Sequence, residues 1–179
     1  MNNRNCIYTL LIALMVLTSC GKENINGNVD ENFGKDLNNY SASLEKSSRS
    51  WLNYKTAHNN SYQYKVEGAS WTGTSWQTSF TVVNGKVTQR QFELKCLGVI
   101  EISWIEYENE IGINKLGAEP LTLDQIYDKA RTEWLIKRKN TEFFFETDKN
   151  GLISLCGYVE KYCMDDCFRG VRISYIKPI

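Results

Sequence analysis

Apolar and polar positions change rhythm several times along this chain. A mainly apolar run from Ile7 to Leu17 follows Arg4. At about eleven residues it has the length of a secretory-signal core and is too short to span a bilayer as a helix. Over 21–39 the pattern lapses, with isolated Ile25, Val29, Phe33 and Leu37 among Asn, Gly, Asp and Glu. So little apolar surface predicts a flexible tether over 20–39. Helical spacing starts next: Tyr40, Leu44, Trp51, Tyr54 and Lys55 predict a helix over 41–58, stopped by Asn59-Asn60.

The period then drops to two. Tyr62, Tyr64 and Val66 alternate with Gln63 and Lys65, and Trp76, Phe80 and Val82 share a parity in the next strand. Asn84-Gly85 between them and Phe92, Leu94 and Cys96 predicts a type I′ hairpin turn. Val87 is out of phase with the returning strand, which predicts a bulge. Residues 98–119 run from apolar Val99-Ile100 into Glu106, Glu108 and Glu110, and are read as an extra edge strand with a solvated acidic face or a long ordered loop. A capping box, Thr122 with Gln125, opens a second helix whose stripe is Leu123, Ile126, Tyr127, Ala130 and Trp134, with Lys137, Arg138 and Lys139 late as the helix dipole prefers. Strands are predicted over 142–147, 152–161 and 171–176, the first two joined by the turn Asp148-Lys149-Asn150-Gly151. The predicted fold is α+β, two helices on one face of a mainly antiparallel twisted sheet, in the order helix, three strands, connector, helix, three strands.

The early apolar run gains meaning from what ends it. Leu17-Thr18-Ser19-Cys20, followed by Gly21, puts a small residue before a cysteine, as a bacterial lipoprotein signal does. The expected organisation is a signal peptide over 1–19, a tether over 20–39 from lipidated Cys20, and one domain over 40–179, of a size that holds a real core. The expected location is the bacterial cell envelope, lipid-anchored, at the outer membrane or cell surface. Lys plus Arg equals Asp plus Glu at 21 each, so electrostatics give no case for nucleic acid as a partner. The expected membrane contact is the N-terminal lipid. Aromatic residues make up 12% of the chain, with five Trp, and only two prolines occur, the composition of a β-rich domain.

An exported location permits disulfides. Past the signal and Cys20, the remaining thiols are Cys96, Cys156, Cys163 and Cys167, which allow three pairings. The preferred set is Cys96 with Cys156 and Cys163 with Cys167. The longer loop would contribute up to about 4 kcal/mol on a chain-entropy model.

Few residues invite catalytic readings. His58 is the only histidine, which excludes a multi-histidine metal site and reads as a helix-end residue. Cys163-Met164-Asp165-Asp166-Cys167 has the wrong spacing for a redox pair, and its aspartates raise thiol pKa. Neither Asp165-Asp166 nor Asp148 with Asn150 supplies the oxygens calcium needs. No cofactor, metal site or catalytic residue is expected. The residues expected to touch a partner are Trp71, Trp76 and Trp104, because indoles on turns or edges stack on sugars or fill pockets. Their structural alternative is capping the core.

Several stretches together resemble a family. Trp51, Ser61-Tyr62-Gln63-Tyr64-Lys65-Val66, Asn84-Gly85-Lys86-Val87, Leu121-Thr122-Leu123-Asp124-Gln125-Ile126-Tyr127 and Phe145 to Ile153 are similar to bacterial exported proteins and lipoproteins grouped as domain of unknown function 6174. The resemblance covers about 44–176, and the loop Cys163 to Cys167 with the segment 98–119 points to an envelope lipoprotein branch from Bacteroides-like bacteria. It implies fold and location; no functional residues carry over. The expected role is a non-enzymatic envelope binding or assembly module with a protein or glycan ligand. Two other readings are an envelope or glycan-directed hydrolase using acidic residues of the 98–119 segment, such as Glu106 and Glu108, and a protease-inhibitor-like module on fold analogy.

Overall fold

The computed structural model describes residues 30–164 and 167–179, with side chains from 39 onward. The signal over 1–19, Cys20 and the first half of the expected tether lie outside them. Helix α1 (Asp30–Ala57) is followed by strands β1 (Tyr62–Ala69), β2 (Thr74–Val83), β3 (Lys86–Cys96) and β4 (Val99–Tyr107). A short 3₁₀ turn (Glu108–Glu110), helix α2 (Leu123–Lys129) with a π-helical turn (Ala130–Trp134), and strands β5 (Thr141–Thr147), β6 (Ile153–Glu160) and β7 (Arg169–Pro178) complete it. The fold is α+β, with one seven-stranded antiparallel sheet in the order β4-β3-β2-β1-β7-β6-β5.

Several boundaries depart from the sequence reading. The first helix begins at Asp30 rather than 41, so it runs back into the segment read as tether. Four strands, not three, precede the second helix, because Val99–Tyr107 pairs with β3. The second α-helix ends at Lys129 and widens into the π turn, leaving Lys137, Arg138 and Lys139 beyond its end. The Asn84-Gly85 turn forms with both residues at positive φ, and the bulge lies where Val82 pairs Val87 and Thr81 pairs Gln89.

Both helices pack on one sheet face. Tyr62, Tyr64 and Val66 of β1 and Phe80 and Val82 of β2 share a parity and are buried together with Leu44 and Trp51 of α1 and Leu123, Ile126 and Tyr127 of α2. Burying an aromatic or branched aliphatic side chain stabilises by about 1.5–3 kcal/mol. The large rings do most of this: Trp51 meets Tyr62 edge-on at 5.1 Å and Tyr64 stacks on Phe80 at 4.6 Å.

Several polar atoms inside this core are paired, while the Tyr54 hydroxyl at its margin is buried without a partner among the described residues. The Trp51 indole N–H donates to Asp124 Oδ1 at 2.8 Å, and Lys55 reaches Oδ2 at 2.7 Å. Ser47 Oγ donates to the Gly151 carbonyl at 2.7 Å and shares a 2.7 Å hydrogen bond with the Tyr127 hydroxyl. These bonds fix α1 against α2 and the β5–β6 turn. Thr122 and Gln125 form the reciprocal capping box.

Replacing Trp51 by Ala should destabilise the domain by about 3–5 kcal/mol in chemical denaturation. Trp51→Phe, which keeps a ring but not the donor to Asp124, should cost about 1–2 kcal/mol for the lost hydrogen bond and ring contact, since Lys55 still pairs the half-exposed carboxylate. Equal losses in the two variants would place the energy in the indole N–H bond to Asp124 rather than in ring packing.

Candidate functional site

Two cross-strand rows cross the β1–β4 half of the sheet. Tyr64, Phe80, Arg90 and Glu106 form one, and Val66, Thr78, Phe92 and Trp104 the next. Side chains of one row share a face, so Arg90 and Glu106 lie on the helix-facing side. Both are almost fully buried and meet at 3.1 Å.

The connector 111–121 folds over this pair. Arg90 Nε donates to Ala118 O at 3.0 Å, Nη1 to Asn114 O at 3.1 Å and Nη2 to Leu116 O at 2.7 Å. Glu106 accepts from Gly112 N at 2.8 Å, Asn114 N at 2.6 Å and Asn114 Nδ2 at 3.0 Å. The guanidinium also lies 4.7 Å over the Trp104 ring. Gly117 is required here: at φ +84°, a Cβ would come within 2.7 Å of Phe92 Cδ2 and 2.8 Å of Thr78 Oγ1. Burial pushes the Glu106 carboxyl up, but the hydrogen bonds from Gly112, Asn114 and Arg90 outweigh it and hold the group at about 2.

This corrects the reading of the 98–119 segment. Glu106 is not on a solvated face; it is the buried anchor of the connector. A carboxylate held ionised with its acceptor sites filled has no proton to donate and no free lone pair aimed at a ligand, so it does not suit acid–base chemistry. Glu108 is exposed on the adjacent 3₁₀ turn at φ 34°. Glu106 is thereby committed to structure and unsuited to the acid or base role of the hydrolase reading.

The three tryptophans separate. Trp104 is half-buried on the edge strand β4, stacked 5.2 Å from Phe92 and against Arg90. Trp76 lies on β2 with its indole over Gly68, where a Cβ would meet the ring at 2.6 Å. Only Trp71, at the β1–β2 turn, projects free, 84% exposed.

The cysteines fall half as expected. Cys163 and Cys167 form a disulfide. Cys156 is a free, fully buried thiol facing the core, so the expected Cys96–Cys156 bond is absent. The reason is position: Cys96 ends β3 while Cys156 lies in β6, separated by β2, β1 and β7 in the sheet order. Burial pushes the Cys156 thiol to about 12, which removes it as a nucleophile. His58 Nδ1 lies 2.8 Å from the Tyr54 carbonyl and its ring 4.2 Å from the Tyr54 ring, a helix-end role. Among the described residues no cluster of three metal-ligating side chains occurs, and no helix is long and apolar enough to cross a membrane.

What the sequence reading missed is a cleft of about 500 Å³ lined by Glu67, Ser75, Gln77, Glu93, Lys95 and Arg172, with Gly68, Ala69 and Trp76. The charged and amide residues have the parity opposite to the core, which puts them on the face the helices leave open. They form a row: Lys65 donates to Gln77 Oε1 at 3.3 Å, Gln77 Nε2 to Glu93 Oε2 at 2.7 Å, and Lys95 lies 3.5 Å from Glu93. The cleft offers charges of both signs on rigid strands. Its sequence signal was the polar half of the same alternation that identified the core.

No protein-family model, curated protein or solved structure matches this chain.

Arg90→Ala should cost about 3–5 kcal/mol, because it strands Glu106 as an unpaired buried charge. The Glu106 carboxyl is depressed in the folded state from an ordinary 4.5 to about 2. Its stabilisation is therefore complete above about pH 5 and is lost as pH falls towards 2. Denaturation midpoints across that window should fall more steeply for the parent than for Glu106→Gln, which lacks the titrating group. Separately, peptide mapping after maleimide treatment should find Cys156 modified only once the chain is denatured.

Proposed function

We propose that this protein is a lipid-anchored, non-enzymatic binding module of the bacterial cell envelope, with Cys20 as the lipidated residue. The lipoprotein-type Leu17-Thr18-Ser19-Cys20 motif supports the anchor. The observation that carries the binding role is the cleft on the open sheet face, where Glu67, Gln77, Glu93, Lys95 and Arg172 converge on rigid strands. Mixed charge with amides suits a polar macromolecular ligand, an envelope protein or a glycan, better than an apolar small molecule. The resemblance to exported proteins supports the envelope location and implies no activity. The ionised, fully hydrogen-bonded Glu106 and the inert Cys156 favour binding over catalysis.

The test is cross-linked affinity capture from the native envelope, scored against Arg172→Glu and Gln77→Ala. A ligand of this cleft should be recovered by the parent at constant stoichiometry. Its recovery should fall by at least about tenfold in the variants, a loss of about 1.4 kcal/mol. Capture that is unchanged in both variants, with folding intact by circular dichroism, would remove the cleft from the proposal.

A further inference from the structure

The strands of an antiparallel sheet end at two rims, and one rim of this sheet carries an unusual load. It holds the β1–β2 turn, the β3–β4 turn and the β6–β7 loop, since β1 ends there at Ala69, β3 at Cys96 and β6 at Glu160. The large apolar residues more than 80% exposed among the described residues are Met164, Trp71, Tyr162 and Leu97. All of them sit on these turns. Val99 and Ile100, also exposed, continue the second tip. Leu97 N donates to Gly73 O at 3.0 Å, joining the first two turns, and the Cys163–Cys167 disulfide bridges the third.

The first helix enters from the same rim. The Tyr40 hydroxyl donates to Phe143 O near the start of β5, whereas Ser47, further along α1, reaches Gly151 at the opposite rim. The N-terminal part of α1 therefore lies on the side of the rim where the apolar tips project.

We propose that this rim rests on a phospholipid bilayer, with Trp71, Leu97, Tyr162 and Met164 inserted at the boundary between headgroups and acyl chains. The inference rests on the lipid-anchored reading for the membrane's presence and adds the domain's orientation on it. Separate tips on separate turns suit insertion into a fluid interface, where a protein partner would favour one contiguous patch. Trp and Tyr prefer this depth because their rings are apolar at one end and polar at the other. Lys137, Lys139, Lys161 and Arg169 lie along the rim, but Glu101, Glu142 and Glu160 are interspersed. Insertion is thus driven by apolar area, with little dependence on anionic lipid.

The experiment uses the full lipidated chain on phosphatidylethanolamine–phosphatidylglycerol vesicles containing lipids brominated high on the acyl chain. Bromine should quench tryptophan emission, and Trp71→Phe should abolish most of that quenching. Leu97→Asp with Met164→Asp should reduce it several-fold while the chain still floats with the vesicles. Flotation without Trp71-dependent quenching overturns the bilayer contact, leaves the anchor intact, and includes the case of a protein seated on the tips. A chain that fails to float overturns the anchored reading. Trp71-dependent quenching at saturating lipid then still supports the contact, and its absence overturns it.

Discussion

The Arg90–Glu106 pair is where two otherwise independent parts of this protein meet. Two charges removed from water carry a desolvation cost of several kcal/mol each, so a buried pair persists only where further hydrogen bonds complete both groups. Here the connector supplies them: its carbonyls at Asn114, Leu116 and Ala118 take the guanidinium protons, and its amides at Gly112 and Asn114 fill the carboxylate. The exchange is reciprocal. The loop satisfies the charges, and the charges satisfy loop backbone groups that would otherwise be buried without partners.

That arrangement has consequences along the chain. A connector held over β3 and β4 delivers Leu121 and Leu123 to β1, where the Tyr64 hydroxyl donates to Leu121 O and the Leu123 amide donates to the Tyr62 hydroxyl at 2.8 Å. The start of α2 is thus set by the sheet as well as by its own capping box. From α2, Asp124 and Tyr127 reach α1. One ionic pair near the sheet edge therefore stands at the head of a series of hydrogen bonds that ends at the first helix. The helices cover one sheet face, which leaves the open face and the turn-bearing rim exposed.

Local signals were legible in the sequence because neighbouring residues carry them. The alternation of Tyr62, Tyr64 and Val66, the Asn84-Gly85 turn and the Thr122–Gln125 box each became the element expected. What depended on distant pairing was not. Arg90 shares its parity with Phe92, and Glu106 with Trp104, so each was a charge in an apolar row, but nothing local says that they face each other. The same blindness produced the Cys96–Cys156 pairing, since thiol count carries no information on strand order. Trp104 does lie on an edge strand, but its stacking on Phe92 and Arg90 was not legible in the sequence. The cleft escaped notice because ordinary polar alternation becomes a concavity only once the sheet twists.

The central claim is that the connector is part of the folded core and owes this to Arg90 and Glu106. Native-state hydrogen exchange reads it directly at the Gly112, Asn114 and Ala118 amides. In the parent protein these should exchange as slowly as the central amides of β3, through global unfolding. In Glu106→Gln they should open by local fluctuations while β3 stays protected. Fast exchange of the three amides in the parent, at rates typical of exposed loops, would contradict the claim.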